Sequence, residues 1–181
     1  MDVERYNANM LVMPAYLTGM DALGTKLVTI HLENSKVSLP TIIGTIILND
    51  PKTGVPMAIL DGTYITAMRT GAAGAVAAKY LSREDSSSVT IIGTGVQGRS
   101  QLMALREVRP IERVFAFDAD KKRCQEHANE MKKRVRVEIT SVDNVENAVR
   151  RSDIVVTATS SSDPVLKGDW IPEGCHITGI G

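Results

Sequence analysis

The segment SVTIIGTGVQGRSQL, residues 88–102, constrains this chain more than any other. VTII is a run of β-branched residues that reads as a buried strand. It is followed at once by Gly93, Gly95 and Gly98 in a G-x-G-x-x-G pattern, and then by a polar stretch of helical character. In a strand–turn–helix unit the three glycines have separate duties. The first allows a tight turn, the second lets the backbone approach a pyrophosphate, and the third lets helix and strand pack closely. The helix that follows offers unpaired amides, at Val96 and Gln97 first, and the positive end of its dipole.

The rhythm downstream supports a dinucleotide reading of this motif. Strands are predicted at 88–92, 113–117, 135–139, 153–157 and 175–179, with helices at 96–107, 120–132 and 143–150. Such alternation implies a parallel sheet with helices on both faces. RVFAFDAD ends the second strand at Asp118, close to the interval of roughly 20 residues expected for a ribose-binding acid. A carboxylate there accepts hydrogen bonds from the ribose hydroxyls and repels a 2′-phosphate, so NAD is expected in preference to NADP. Lys121, Lys122 and Arg123 follow closely; they either offset that repulsion or form a solvated helix face. Thr159 and Ser160 lie in the loop after the fourth strand, where they reach the cofactor or cap a helix.

Before residue 83 the pattern differs. MLVMPAYL, TKLVTIHL and PTIIGTIIL read as strands, and NDPKTGVP reads as a hairpin turn into MAIL. A helix is predicted over 63–81. Its glycines and alanines, from Gly71 to Ala78, leave little side-chain bulk, and each helical glycine costs roughly 1 kcal/mol against alanine. Close packing against a neighbour is the expected compensation. The fold class is therefore α/β: a Rossmann-like doubly wound parallel sheet over 83–181, preceded by part of a mostly β domain over 1–82 that ends in a long connecting helix.

Composition narrows the function. Lys and Arg together number 21, as do Asp and Glu, so the net charge is zero and nothing points to nucleic acid. Cys124 and Cys175 form no CxxC pair, which argues against a metal site or a disulfide. No apolar run reaches the roughly 20 residues of a membrane span. The first residues lack the basic and apolar parts of a signal peptide, and the cytoplasm is the expected compartment. Lys26, in strand-like surroundings, and Arg69, beside small residues, are the charged groups that stand out as substrate or anion ligands. His31 and His176 read as strand packing.

VMPAYL, GTKLVTIHL, LPTIIGTIILNDPKTGVPMAILDGTYITAMRTGAA, IIGTGVQG and DIVVTATSSSDPVL together resemble the ornithine cyclodeaminase/mu-crystallin family. The resemblance runs over nearly the whole chain, in order. It implies NAD-dependent hydride transfer at the α-carbon of a small L-amino or imino acid. An alanine dehydrogenase-like enzyme is the first expectation; ornithine cyclodeaminase, a ketimine reductase and a non-catalytic dinucleotide-binding protein are the alternatives. By the resemblance, Lys26 contacts the substrate carboxylate and helps proton transfer. Arg69 lies near phosphate and substrate, and Thr41 contacts the cofactor. Val96, Gln97 and Asp118 belong to the dinucleotide site, and Ile180 lies at its nicotinamide end. It also implies a homodimer through the N-terminal β domain, a catalytic aspartate beyond Gly181 and a substrate arginine before Met1, so that both ends read as truncated and the chain as it stands is expected to lack its catalytic acid. Gly71 and Gly98 stand where the family commonly has alanine.

Overall fold

The computed structural model describes residues 1–180 and divides by its contacts into two units, Met1–Thr66 and the remainder from Ala67. In the first unit five strands form one antiparallel sheet in chain order: β1 (Asp2–Val3), β2 (Ala8–Leu17), β3 (Ala22–His31), β4 (Ile42–Asn49) and β5 (Pro56–Asp61). The β4–β5 turn is built by Asp50, whose Oδ1 accepts from the amides of Lys52 and Thr53, with Gly54 at a φ of 76°. That is the hairpin expected from NDPKTGVP. Ala8 and Val28 are buried in this sheet, while Val12, Leu17, Met57 and Ile59 stay more than half exposed.

Helix α1 (Thr63–Leu81) has the bounds its sequence predicts, and the division between units falls inside it, ahead of the expected boundary at 82/83. Its glycines explain why the later part of α1 goes with the second unit. A Cβ on Gly71 would stand 2.5 Å from the Ser100 carbonyl oxygen, and one on Gly74 would stand 2.0 Å from Gln101 Oε1. Gln101 Nε2 donates to the Thr70 carbonyl at 2.9 Å. Only a helix stripped of side chains can approach α2 (Val96–Arg106) so closely. At the far end of α1, the guanidinium of the buried Arg109 donates to the carbonyls of Lys79 and Ser82 and closes the helix terminus.

The second unit carries a five-stranded parallel sheet in the order β10-β9-β6-β7-β8. Its strands are β6 (Ser88–Ile92), β7 (Arg113–Phe117), β8 (Glu138–Ser141), β9 (Ile154–Thr157) and β10 (His176–Gly179). The first strand in sequence lies between the second and the fourth, so the order reverses direction between β6 and β9. That is a doubly wound arrangement with its switch point there. Val89 and Ile91 face Leu102, Leu105 and Met131 on one side, whereas Ile92 and Val155 face Val149 and the ring of Trp170 on the other. Burial on both faces is why VTII shows no polar alternation; its one hydroxyl, on Thr90, is satisfied by Ser152 Oγ at 2.7 Å.

The differences from expectation are largest around α3, β8 and α4. Helix α3 (Lys121–Val135) runs three residues past 132, and β8 starts at Glu138 instead of 135. The alternation of RVRVEIT suggests an early strand, but Val135 packs on the core as part of the last helical turn. Arg136, at a φ of 56°, then closes the helix in the left-handed conformation. Helix α4 is short (Val145–Val149), capped by Asn144 accepting from the Asn147 amide at 2.9 Å. At the amino end of the sheet, Asp153 ties β9 to β6: its Oδ2 accepts from the Ser87 and Ser88 amides and from Ser88 Oγ, while Arg83 pairs with Oδ1.

His127, on α3, is fully buried, and the structure gives neither ring nitrogen a hydrogen-bond partner. Burial, with the positive charge of Arg99, pushes its pKa down to about 4 against the opposing pull of Glu130. A folded-state value below the unfolded one means that unfolding takes up a proton. The stability this group contributes is fully present above its unfolded pKa near 6.5 and is lost as pH falls toward 4. We expect a loss of roughly 3 kcal/mol across that window, read as a falling denaturant midpoint. His127→Leu should flatten that limb; an unchanged acid limb in the variant would contradict the assignment.

Candidate cofactor site

The loop between β6 and α2 crosses the carboxyl edge of the sheet at the switch point. Gly93 takes a φ of 97°, a conformation L-residues rarely adopt. Its amide donates to the Phe117 carbonyl at the end of β7, at 2.9 Å. On its other side a Cβ would stand 2.3 Å from the Ala158 carbonyl oxygen, just after β9. The turn is thus wedged between two strand ends with no room for a side chain. Gly98, on the first turn of α2, has a would-be Cβ 2.3 Å from the Gly93 carbonyl oxygen, so the helix seats directly on the turn.

Gly95 is different: a Cβ there would meet nothing within 4 Å. It is the N-cap of α2 and makes no side-chain capping bond. The first-turn amides of a helix have no partner within the helix. At α2 these belong to Val96, Gln97 and Gly98, beside open space and at the positive end of an 11-residue helix. A clear approach at the middle glycine, with steric closure at the other two, is the geometry a diphosphate requires, so these residues fit a dinucleotide.

Asp118, at the end of β7, is the buried acid of the site; its side chain is 4% exposed. Oδ2 accepts from the Thr94 amide and Thr94 Oγ1, both at 2.8 Å, and from Arg123 Nε at 3.2 Å. Oδ1 accepts from the Asp120 amide at 3.0 Å and from Arg123 Nη2 at 2.5 Å. Burial alone would raise its pKa, but the Arg123, Thr94 and Asp120 donors outweigh that and hold it at about 2. The donors therefore keep the carboxylate ionised at neutral pH. Arg99 fastens the loop from beneath, donating to the Thr94 carbonyl and pairing through Nε with Glu130 at 2.9 Å.

Thr159 and Ile180, also singled out in the sequence, lie at the same edge. Thr159 Cγ2 would lie 3.0 Å from a Cβ on Gly93. No helix starts at Thr159 or Ser160; Thr159 Oγ1 instead accepts from the Ser161 amide in a local turn. That removes the helix-capping alternative. The Ile180 amide donates to the Thr157 carbonyl at 2.9 Å, which puts Ile180 beside the end of β9. Arg69 is exposed on α1, immediately before Thr70, whose carbonyl is bonded by Gln101 of α2. Lys26 and Thr41 belong to the first unit. Lys26 is half-buried on β3, opposite Met13 and Ile46. The Thr41 carbonyl accepts from the His31 amide at 2.8 Å, just ahead of β4. Five residues of strand, about 17 Å, separate the level of Lys26 from that of Thr41.

Thr94, Arg99 and the Arg123 pairing are what sequence reasoning missed or left open. Thr94 occupies a variable position of the glycine pattern, and its use as a double donor needs the fold to bring β7 alongside. Arg123, exposed like Lys121 and Lys122, reaches Asp118, whereas those two pair with Asp143 and Glu126. Among the described residues, no group of three or more His, Cys, Asp or Glu side chains is placed to hold a metal, and no helix is long and apolar enough to cross a membrane.

A family model for the ornithine cyclodeaminase/mu-crystallin family matches residues 1–181. Alanine dehydrogenase from Archaeoglobus fulgidus is 42% identical over 99% of this chain and 54% of its own length. The structure of Thermococcus litoralis Delta(1)-pyrroline-2-carboxylate reductase in complex with NADH and L-proline superposes with a TM-score of 0.98. It is 48% identical and is matched over 100% of this chain and 56% of that one. An archaeal alanine dehydrogenase dimer with bound NAD gives a TM-score of 0.88 at 41% identity, over 98% of this chain and 53% of that one. The chain thus spans about half the length of the relatives it matches.

Gly93→Ala tests the turn. The strain of a positive φ and the collision with Ala158 should together destabilise the second unit by on the order of 2–4 kcal/mol. Thermal unfolding and NADH fluorescence would read this as a lower midpoint with nucleotide binding lost; wild-type behaviour in both would contradict the geometry.

Proposed function

The chain belongs to the ornithine cyclodeaminase/mu-crystallin family, and from that premise we propose that it serves an NAD-dependent oxidoreductase of small L-amino or imino acids. The observation that carries the reading is the glycine turn at the switch point, open at Gly95 and backed by the ionised Asp118. Gly93, Gly95, Val96, Gln97 and Gly98 would hold the diphosphate. Asp118 would take the adenosine ribose and Ile180 would lie near the nicotinamide end, while Thr159, Ser160 and Thr41 would add further cofactor contacts. The bound dinucleotide supplies a two-electron acceptor or donor for hydride at the substrate α-carbon.

Lys26 and Arg69 act on the substrate. The Lys26 ammonium pairs with the substrate carboxylate and so fixes the orientation of the α-carbon. An amino acid that loses its α-hydride must also lose a proton from nitrogen to become an imine, and Lys26 helps to move that proton. Arg69 adds positive charge for the carboxylate and for phosphate. In a dehydrogenase, water then adds to the imine carbon and ammonia leaves to give a 2-oxo acid. In the reverse direction the same residues hold an imine for reduction.

An alanine dehydrogenase-like activity is the first reading. Reduction of a cyclic imino acid is the second, supported by the 48% identity to the solved pyrroline-2-carboxylate reductase against 41% to the solved alanine dehydrogenase, while the curated alanine dehydrogenase at 42% exceeds the curated reductase at 36% and keeps the first reading ahead. With the rest of the relatives' length present, the expected result is NADH oxidation with pyruvate plus ammonium or with pyrroline-2-carboxylate. Lys26→Ala should abolish that turnover while NADH binding persists. NADH bound with neither substrate turned over would sink the reaction, and normal turnover in the variant would remove Lys26 from it.

The reading includes a homodimer assembled through the sheet of the first unit. Val12 at 58% and Ile59 at 74% exposure are costly to leave in water. Light scattering should give twice the protomer mass; a monomer at micromolar concentration would contradict this.

A further inference from the structure

We propose that the substrate is an α-amino or cyclic α-imino acid whose side chain ends in carbon, and that Met13, Ile46 and Leu60, which flank Lys26 on one face of the first sheet, enforce that choice. The inference rests on the reading of Lys26 as the partner of the substrate carboxylate. It adds the class of side chain that the substrate carries. Its ground is the register of the sheet. Successive residues of a strand point to opposite faces, and residues paired across strands share a face. Lys26 is paired with Met13 on β2 and with Ile46 on β4, and Ile46 is paired in turn with Leu60 on β5. Along β3, the residues two places away are Gly24 and Val28. None of these five can accept a hydrogen bond through its side chain from a cation, beyond the weak thioether of Met13. Met13 and Leu60 are exposed and Ile46 is half-buried, so the surface beside Lys26 is open to a ligand.

The opposite face of the sheet differs. It carries Thr25, Thr29 and His31 of β3, Thr45 and Asn49 of β4, and Asp61 of β5. Val12 and Ile59, the exposed residues of the proposed dimer contact, lie on that face too. Among the described residues of β2–β5, Lys26 is the one charged side chain on its own face. A carboxylate paired with the Lys26 ammonium brings the substrate side chain over these neighbours. The cross-strand partners stand about 5 Å away and Leu60, two strands across, about 10 Å. A hydrocarbon side chain laid there exchanges water for apolar contact. A side chain that ends in an ammonium gives up its water, finds no acid to replace it, and meets the like charge of Lys26. The face therefore accepts aliphatic and cyclic side chains and rejects diamino acids.

The test compares L-norvaline with L-ornithine, which share a carbon skeleton and differ by the terminal ammonium. With the rest of the relatives' length present, the NADH-saturated protein would be titrated with each. The side-chain methyl signals of Met13, Ile46 and Leu60 would give the two dissociation constants. We expect L-norvaline to bind more tightly by about tenfold or more, the cost of stranding an ammonium on an apolar surface. Leu60 is exposed on the edge strand β5, where a polar side chain is tolerated. In Leu60→Glu, which sets a carboxylate at the far side of the face, the ratio should fall to about threefold or less. Lys26→Ala should lose both ligands. L-ornithine bound as tightly as L-norvaline, or a ratio unchanged in Leu60→Glu, would overturn the inference and leave the reading of Lys26 intact. Both ligands bound as before in Lys26→Ala, or neither bound by the wild-type protein, would overturn that reading and the inference with it.

Discussion

The turn at Gly93 is the constraint on which the second unit depends. Its amide is committed to β7 through Phe117, its α-carbon is pressed against the carbonyl after β9, and its own carbonyl is the floor on which Gly98 seats helix α2. Three elements meet at one residue, and the segment after β9 leaves no space for a methyl group on it. The position of the α2 amides follows from that contact and needs no side chain to aim them. Asp118 and Thr94 then lock the loop sideways to β7, and Arg99 locks it to α3 through Glu130. A rigid cradle of backbone donors loses little freedom when an anion arrives, which is the advantage of building the site before the ligand binds.

Helix α1 shows the same economy of side chains. Gly71 and Gly74 would weaken an isolated helix, but they let its backbone lie against Ser100 and Gln101 of α2. Arg109 closes its last turn. The amino end of the parallel sheet is held by Asp153 and Arg83, far from the carboxyl edge where the glycine loop lies. The groups proposed to bind the cofactor and the bracing groups thus sit at opposite ends of the strands, the usual division in open α/β sheets.

Much of this was legible in the sequence because it depends on local pattern. β6, β7 and α1 have the bounds read from their residues, and the glycine loop sits between strand and helix as its spacing requires. What the sequence did not show arises from contacts between distant segments. Thr94 is a loop threonine until β7 brings Asp118 beside it. Arg123 is one of three consecutive cations, and only the placement of α3 over β7 brings it to Asp118. His127 reads as a polar helix residue, yet it is fully buried. The late start of β8 has a local cause hidden by ambiguity: RVRVEIT alternates like a strand, but Val135 packs better in a last helical turn. The division within α1 reflects a match of surfaces, glycine against α2, that no single-segment pattern contains.

The central claim is that a dinucleotide diphosphate rests on the first-turn amides of α2. The most direct measurement is an amide NMR titration of the protein with NADH. The account predicts saturable shifts led by Gly95, Val96 and Gln97, with Thr94 and Asp118 following as the ribose arrives. Saturable binding that leaves those amides unmoved, with the shifts confined to another part of the chain, would contradict it.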